Sequence, residues 1–330
     1  MTTTHRFIDF HSHFYADSWA AAPSAPGLRG LARVWPMITN IEAQLHALAE
    51  AGVDCKVLSA PPAPLVGHGE QLPSDSIRRI NDHFAALVSS YPGRLLALAT
   101  VDPFQGEGAA REAERAVQML GLHGICVDCA VGDQFLDAAV ARPTLEAAAA
   151  LDVPIFVHPV GPLGYTERLG RLGHPGVLLA RGTEDAASVL ALLRCGILDE
   201  LPNLKIVMPM IGVAALIFAG LIDDERLQQD GWHGTPPSEL RKRLYIDTMG
   251  FDSASVRFAV ELLGADHVLL GSDWPIMPIA ARQRVETLLD SLNLNEADQG
   301  AILSGNANRL LKLTHPNPPL LWGGNCEGKD

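Results

Sequence analysis

The segment "IDFHSHF", residues 8 to 14, places two histidines one residue apart at the end of an apolar run. In an extended strand the side chains of residues i and i+2 point to the same face, so His11 and His13 project together while Ser12 faces away. Two imidazoles in one small volume form either a hydrogen-bonded pair at a strand end or part of a metal site. The rest of the chain decides between these interpretations.

The composition is that of an ordinary globular protein. The chain has 330 residues, of which 48% are hydrophobic and 19% are charged. No apolar run reaches the roughly 18 to 20 residues of a membrane-spanning helix, and the first residues, MTTTHRFIDF, lack a basic region followed by a long apolar stretch. We therefore predict a cytoplasmic protein with no membrane partner.

The charge balance and the cysteines exclude other classes. The net charge is −13 and Lys and Arg do not cluster, which predicts no nucleic-acid partner because phosphate binding needs a basic face. The cysteines are odd in number and mostly lie in apolar segments, as free thiols do in a reducing compartment. They are Cys55, Cys126, Cys129, Cys195 and Cys326. Cys126 and Cys129 form a CxxC, but no second pair follows at zinc-ribbon spacing.

Short apolar runs alternate with helical patterns from one end of the chain to the other. Such runs are typical of parallel strands that helices cover on the outside. The eight predicted strands are residues 7–11, 53–60, 94–102, 124–129, 154–158, 204–210, 243–249 and 267–273.

Eight such units predict a closed (β/α)8 barrel of the TIM type. An open doubly wound sheet would need a glycine-rich turn after its first strand, and the turn here, HSHFYADS, contains no glycine. We expect one α/β domain over residues 1–330, with a C-terminal helix and an extended arm over about 315–330 that packs on a neighbouring subunit. Residues 15–38 and 161–180 are predicted to be long loops.

Four polar residues follow three of the predicted strands. His11 and His13 end the first strand, His158 ends the fifth and Asp273 ends the eighth. The carboxyl ends of barrel strands share one mouth, so these side chains are expected to meet there. Three imidazoles and a carboxylate suit one divalent cation, Zn²⁺ first and Mn²⁺ as the alternative.

Several motifs together resemble a branch of the amidohydrolase superfamily that contains aminocarboxymuconate semialdehyde decarboxylase and the aromatic acid decarboxylases. The motifs are IDFHSHF (8–14), VHP (157–159), GILDELPNLKIVMP (196–209), YIDT (245–248), GADHVLLGSDWP (264–275) and GNANRLLKL (305–313). The resemblance implies a metal-dependent barrel in which His11, His13, His158 and Asp273 are the ligands. Binuclear members use a lysine on the fourth strand, and GICVDC has none, so one ion is expected.

One position departs from this pattern. In the branch, the sixth strand ends in a histidine that holds or activates the metal-bound water, but here the segment VMPMIG places Met210 at that position. A thioether cannot act as a general base, so Met210 either packs in the core or lines an apolar substrate pocket. Hydrolysis, which depends on a deprotonated water, is disfavoured more than decarboxylation.

Three functional hypotheses remain. The first is a decarboxylase of a small aromatic or unsaturated carboxylic acid, in which Asp273 also donates the proton. The second is a hydrolase or hydratase of a ring-cleavage product. The third is a degenerate barrel that binds a metal or ligand without turnover, because Met210 replaces the usual histidine.

The remaining candidates concern substrate and assembly. Arg168 and Arg181 could bind the substrate carboxylate through their planar guanidinium groups. Trp274 could flank an aromatic ring. His174 and His233 lie in predicted loops that would overhang the mouth, and either could replace the missing histidine as the base. The predicted partners are a small carboxylic acid and a second copy of the chain, in a dimer or a tetramer.

Overall fold

The structure, a computed structural model, describes residues 5–19, 31–66, 70–223, 234–249 and 252–313. Its centre is a ring of eight parallel strands, as the sequence predicts. They are β1 (Ile8–His13), β2 (Cys55–Ser59), β3 (two segments, Leu95–Ala97 and Ala99–Thr100), β4 (Ile125–Asp128), β5 (Pro154–His158), β6 (Lys205–Met208), β7 (Tyr245–Asp247) and β8 (Val268–Leu269). Each strand pairs with the next in the chain.

The ring closes between the last strand and the first. Phe10 N donates a hydrogen bond of 2.8 Å to Leu270 O, and Asp273 N donates one of 2.8 Å to His11 O. His13 N then donates to Trp274 O at 2.9 Å. The closure therefore continues past β8 and brings the segment around Asp273 beside the end of β1.

A helix follows each strand and covers the outside of the ring. These helices are α1 (Ile41–Ala51), α2 (Ser74–Ser90), α3 (Glu107–Gln118), α4 (Arg142–Leu151), α5 (His174–Arg194), α6 (Ala214–Leu221), α7 (Ser253–Leu263) and α8 (Arg282–Asp290). Most of the outer core lies between strands and helices. Within the described part of the chain, no helix combines the length and the apolarity needed to cross a membrane.

Side chains fill the inside of the ring. Phe10 and Phe156 meet edge to face across it with ring centroids 5.9 Å apart, a favourable aromatic geometry. A short C-terminal helix, α9 (Asn306–Leu310), adds Ala307 and Leu310 to this interior cluster. The apolar side chains of this helix thus extend the filling of the ring. The polar residues that end the strands, such as His13 and His158, lie at the carboxyl mouth.

The prediction of a long loop over residues 161–180 is wrong. Residues 161–180 contain a short helix, Tyr165–Gly170, and the first two turns of α5. Gly164 and Gly173, both at positive φ, precede these two helices, and Pro175 occupies the first turn of the second. Glycine and proline are typical of turns, so the sequence pattern pointed to a loop where these residues only mark helix starts. The predicted arm over 315–330 lies outside the described residues, and the single-domain organisation stays a prediction.

Helix α5 packs closely on the turn that follows β6. An ideal Cβ added to Gly182 would lie 2.3 Å from Ile211 O, closer than any real contact. Ile211 belongs to the 3-10 turn Met210–Gly212. The absence of a side chain at position 182 therefore fixes how near α5 comes to the carboxyl end of β6.

We predict that Gly182→Ala lowers the free energy of unfolding by about 1–3 kcal/mol, because the helix must move away from Ile211 O. The matched control is Gly108→Ala in α3, where an added Cβ meets nothing within 4 Å. That variant is expected to be neutral or more stable by up to about 1 kcal/mol. Urea unfolding monitored by circular dichroism measures both, and equal stability of the two variants would contradict the packing argument.

Candidate metal centre and its cavity

His11 and His13 converge at the carboxyl end of β1. The pairing of β1 with β2 shifts by one residue between Asp9 and Ser12, so that Phe10 and His11 lie opposite one residue of β2. His11 Nε2 and His13 Nε2 lie 3.2 Å apart. Their other ring nitrogens face the protein, so both imidazoles turn their Nε2 atoms to one shared volume.

The partners of these Nδ1 atoms come from neighbouring strand ends. His11 Nδ1 lies 2.6 Å from Asp247 Oδ2 at the end of β7, and His13 Nδ1 lies 3.0 Å from Ser59 Oγ at the end of β2. Proteins usually orient a metal-binding imidazole through a hydrogen bond from its other ring nitrogen to a carboxylate or another oxygen acceptor.

Asp273 completes a compact group with these two rings. Its Oδ1 lies 3.0 Å from His13 Nε2 and 3.5 Å from His11 Nε2. The residue has a φ of 59°, in the left-handed region that aspartate adopts more readily than most residues. Asp9 supports the turn, because its carboxylate accepts hydrogen bonds from Ser272 N at 3.0 Å and Ser272 Oγ at 2.5 Å.

His158 ends β5 and faces the same volume. The ligand atoms of His11, His13 and His158 all lie within 4.8 Å of one another. Arg181 Nη2 lies 3.3 Å from His158 Nε2, and the same guanidinium donates to Pro159 O at 2.9 Å. The three imidazoles are buried, with 1–4% of each residue exposed.

The donor set fits a divalent ion. Nitrogen and oxygen ligands about 2.0–2.1 Å from Zn²⁺ in tetrahedral geometry are separated from one another by about 3.3 Å. The separations among His11 Nε2, His13 Nε2 and Asp273 Oδ1 are 3.0, 3.2 and 3.5 Å. His158 adds a third imidazole, whose ligand atom lies within 4.8 Å of those of His11 and His13.

The pKa shifts of two rings agree with this fit, and that of the third opposes it. Burial disfavours protonation of His11, but the charges of Asp247 and Asp273 outweigh burial and raise the pKa of this ring. Burial lowers the pKa of His13, and burial followed by the charge of Arg181 lowers the pKa of His158 well below its ordinary value. Both rings are therefore neutral at pH 7 and keep a lone pair for a metal. Burial opposes ionisation of Asp273, but His11 and His13 outweigh it and lower the pKa of this carboxyl group.

A cavity of about 440 Å³ opens beside the imidazoles. His13, His158 and Arg181 lie at its polar end. Its remaining walls are mostly apolar and include Leu31, Pro64, Phe104, Val131, Val160 and Val177. Four carboxyl groups also line it, those of Glu70, Asp102, Asp128 and Glu184. Such a cavity suits a small, largely apolar molecule that carries polar groups.

The structure brings some of the predicted substrate residues to this cavity and leaves others outside it. Arg181 and His174 line it, both on α5. Arg168 is exposed on the preceding short helix, with its guanidinium 5.1 Å from the ring centre of Tyr165. His233 lies outside the described residues.

Met210 and Trp274 are buried away from the described cavity. Met210 packs in the outer core, and its backbone N donates to Asp247 Oδ1 at 3.2 Å. Trp274 packs with Leu48 and Val53 behind β1. Neither side chain lines the cavity, so the expectation that Met210 or Trp274 contacts substrate gains no support from their positions.

Sequence reasoning missed two carboxylates. Asp247 ends β7 and contacts His11, and Asp128 ends β4 and lines the cavity beside His158. Both follow the rule that selected His158, a polar residue at the carboxyl end of an apolar strand. Burial raises the pKa of Asp128 to about 8.

The family follows from this geometry and from comparison with known proteins. A model of the amidohydrolase family matches residues 8–313, which contain the whole barrel and all four residues of the candidate centre. The chain belongs to the amidohydrolase family. The family predicted from the motifs is therefore confirmed.

Characterised members of the amidohydrolase family match most of the chain. Gamma-resorcylate decarboxylase of Polaromonas sp. is 30% identical over 290 residues, which cover 82% of this chain and 86% of that protein. The 2-amino-3-carboxymuconate-6-semialdehyde decarboxylase of Dictyostelium discoideum is 26% identical over 287 residues, 82% of this chain and 76% of that protein.

Solved structures in the family share the fold. Dihydroxybenzoic acid decarboxylase from Polaromonas sp., with bound manganese and the inhibitor 2-nitroresorcinol, superposes with a TM-score of 0.79 at 26% identity, over 94% of this chain and 98% of that one. The 5-carboxyvanillate decarboxylase of Sphingomonas paucimobilis gives a TM-score of 0.80 at 23% identity, over 94% and 100%. The TIM-type barrel predicted from eight β/α units is confirmed.

A buried lysine lies behind the candidate centre. Lys56, on β2 and opposite Asp9 in the register, is fully buried, with its amine 5.2 Å from the ring centre of Trp274 and hydrogen-bonded to Gln44 Oε1. Burial lowers the pKa of Lys56 to about 7. The amine is therefore close to half protonated in the folded protein at neutral pH.

We predict that Lys56 makes stability rise with pH. Between about pH 7 and the ordinary lysine pKa of about 10.4, the unfolded chain binds a proton that the folded chain has lost, so the free energy of unfolding gains up to about 1.4 kcal/mol per pH unit from this group. Urea unfolding of wild type and Lys56→Met is compared at pH 8, 8.5 and 9, above the pKa of about 6 of Asp9, the carboxyl group whose ionisation the Lys56 charge favours. Parallel pH curves for the two proteins would contradict this assignment.

Proposed function

We propose that this chain is a decarboxylase of an aromatic carboxylic acid that works with one divalent metal ion. The observation that carries the proposal is the group of three buried imidazoles and Asp273 at one end of a 440 Å³ apolar cavity that also contains a guanidinium group. The characterised decarboxylases that match over most of the chain support it.

The ion would be held by His11, His13, His158 and Asp273. When bound, it would supply electrostatic stabilisation to the oxygen atoms of the substrate. Zn²⁺ and Mn²⁺ both suit three imidazoles and one carboxylate, and manganese is the ion in the related dihydroxybenzoic acid decarboxylase.

Arg181 is the group best placed to bind the substrate carboxylate. Its guanidinium is held by Pro159 O at the polar end of the cavity, where it lines the wall next to His158. A planar guanidinium can donate two parallel hydrogen bonds to a carboxylate. The apolar walls would hold the aromatic ring and keep water from the reacting carbon, and His174 lines the cavity on the same helix.

Asp273 would move the proton. Its lowered pKa means that it begins as a carboxylate, so it must first accept a proton, and the phenolic hydroxyl group of a 2-hydroxybenzoate can supply it. Asp273 would then deliver this proton to the ring carbon that bears the carboxylate. The bond from that carbon to the carboxylate breaks, its electron pair returns to the ring, and CO₂ leaves.

This chemistry does not need a base at position 210. Met210 is a buried thioether whose side chain packs in the core, so it cannot deprotonate a water molecule. Hydrolysis and hydration both need such a water, whereas the decarboxylation above uses only a proton that the substrate brings.

We also propose that the protein forms homo-oligomers. Five apolar side chains on or beside two helices are 48–66% exposed. Ile217, Phe218 and Leu221 lie on α6, Leu179 lies on α5, and Leu172 lies just before α5. A second copy of the chain would cover them. The cytoplasmic location stays a prediction.

The test is CO₂ release from 2,6-dihydroxybenzoate by the Mn²⁺-loaded or Zn²⁺-loaded protein, with resorcinol detected by NMR. We predict that Arg181→Gln lowers kcat/KM by about 10- to 100-fold, because it removes a charge-assisted hydrogen bond to the carboxylate. Arg168→Gln is the matched control and is expected to change kcat/KM by less than about twofold, since Arg168 is exposed and outside the cavity.

Three outcomes would contradict parts of this proposal. Water addition or ring opening without CO₂ would favour the hydratase or hydrolase hypothesis. A metal-loaded protein that releases CO₂ from no hydroxybenzoate would favour the degenerate barrel. Equal effects of the two arginine variants would remove Arg181 from the proposed carboxylate site.

A further inference from the structure

Two buried polar atoms beside the candidate centre face each other without partners. His158 Nδ1 and Asp128 Oδ1 are both buried, neither makes a hydrogen bond, and they lie 3.8 Å apart. Buried polar atoms in proteins are nearly always paired, so an unpaired donor next to an unpaired acceptor indicates a contact that a small adjustment completes.

The backbone holds this pair in place. Asp128 and His158 are register partners on the neighbouring strands β4 and β5, and Cys129 N donates to His158 O at 2.9 Å. The other carboxylate oxygen of Asp128 accepts a hydrogen bond of 2.7 Å from Ala63 N. That bond fixes the carboxyl group, so Oδ1 is the oxygen left for the imidazole.

The contact of His158 with Arg181 determines which ring nitrogen carries the proton. Arg181 Nη2 lies 3.3 Å from His158 Nε2, and a guanidinium can only donate hydrogen bonds. A neutral His158 therefore accepts at Nε2 and carries its proton on Nδ1, facing Asp128 Oδ1. Nε2 is then the nitrogen with a free lone pair, as it must be to bind a metal.

The other two imidazoles follow the same plan. His11 Nδ1 meets Asp247 and His13 Nδ1 meets Ser59, and both turn Nε2 to the shared volume. His158 is the one member of the trio for which the described residues give no such completed bond.

We infer that Asp128 is a positioning residue for His158: its Oδ1 accepts the hydrogen bond from Nδ1 and holds Nε2 toward the metal. This inference rests on the metal site proposed above. Arg181 then occupies Nε2 when no ion is present and is released to bind the substrate carboxylate when one is. Metal loading and preparation of the carboxylate site are thereby coupled through one imidazole.

The test measures metal affinity and not activity. Mn²⁺ and Zn²⁺ dissociation constants of the full-length protein, obtained by chelator competition, are compared for wild type, Asp128→Asn and Asp102→Asn. Both variants replace a carboxyl group of the cavity wall with an amide, but the two oxygens of Asp102 accept hydrogen bonds from Phe104 N and Gln105 Nε2. The difference between them therefore isolates the bond to His158.

We expect Asp128→Asn to weaken metal binding by about 10- to 100-fold, because one amide oxygen must serve both Ala63 N and His158 Nδ1. Asp102→Asn should change it by less than about threefold. Imidazole ¹⁵N NMR of the metal-free protein adds a readout that a merely structural role would not move. In wild type, the His158 resonances should show the Nδ1–H tautomer, and in Asp128→Asn that preference should weaken.

Equal metal affinities in the two variants, or a His158 tautomer that does not change, would overturn the role of Asp128. A wild-type protein that binds neither ion would instead overturn the metal site itself. Asp128→Ala with thermal unfolding of the metal-free form serves as a further check: a folded variant with wild-type affinity would also refute the inference.

Discussion

Closure of the barrel between β8 and β1 is the interaction on which the rest of the structure depends. Three backbone hydrogen bonds join residues 10, 11 and 13 to residues 270, 273 and 274, at distances of 2.8–2.9 Å. They bring together two segments that are about 260 residues apart in the chain. Without them Asp273 would not lie within 3.0 Å of His13 Nε2, and the two histidines of β1 would be a solvated pair at the end of a strand.

The closed ring places several polar groups in one buried region, although burying any one of them alone would be energetically unfavourable. His11, His13, His158, Asp273, Asp247 and Asp128 are all buried within one rim. Burying such groups is costly unless they are paired or bind an ion, and the pairs described here satisfy most of them. The atoms left unsatisfied, His158 Nδ1 and Asp128 Oδ1, lie together at the edge of the cavity. The unpaired polar atoms of this group therefore lie beside the proposed metal and substrate sites.

Much of this could be predicted from the sequence because the information is local. Each strand is a short apolar run, and a polar residue at its carboxyl end lies at the mouth whatever the other strands do. That rule located His11, His13, His158 and Asp273, and applied consistently it would have added Asp128 and Asp247. It also placed eight strands near their observed positions, with ends longer than the structure shows, as at residues 267–273 against Val268–Leu269.

What could not be predicted depends on the direction in which the chain turns after a strand. Met210 and Trp274 follow strands as His158 does, but the turns that contain them point their side chains into the core. The sequence pattern did not distinguish Arg168 from Arg181 as a carboxylate-binding residue. Because α5 begins at His174, Arg181 lies on the helix that lines the cavity, whereas Arg168 precedes that helix and is exposed. These differences arise from packing between distant segments, which periodicity and spacing do not report.

In the proposed enzyme, residues from three separate strand ends hold one catalytic ion. The most direct test is X-ray diffraction from crystals soaked in Mn²⁺, collected on both sides of the manganese absorption edge. One anomalous peak is expected at the carboxyl mouth, within about 2.0–2.3 Å of nitrogen atoms of His11, His13 and His158 and an oxygen of Asp273. A peak that Asp273 does not contact, or no peak at this rim, would contradict it.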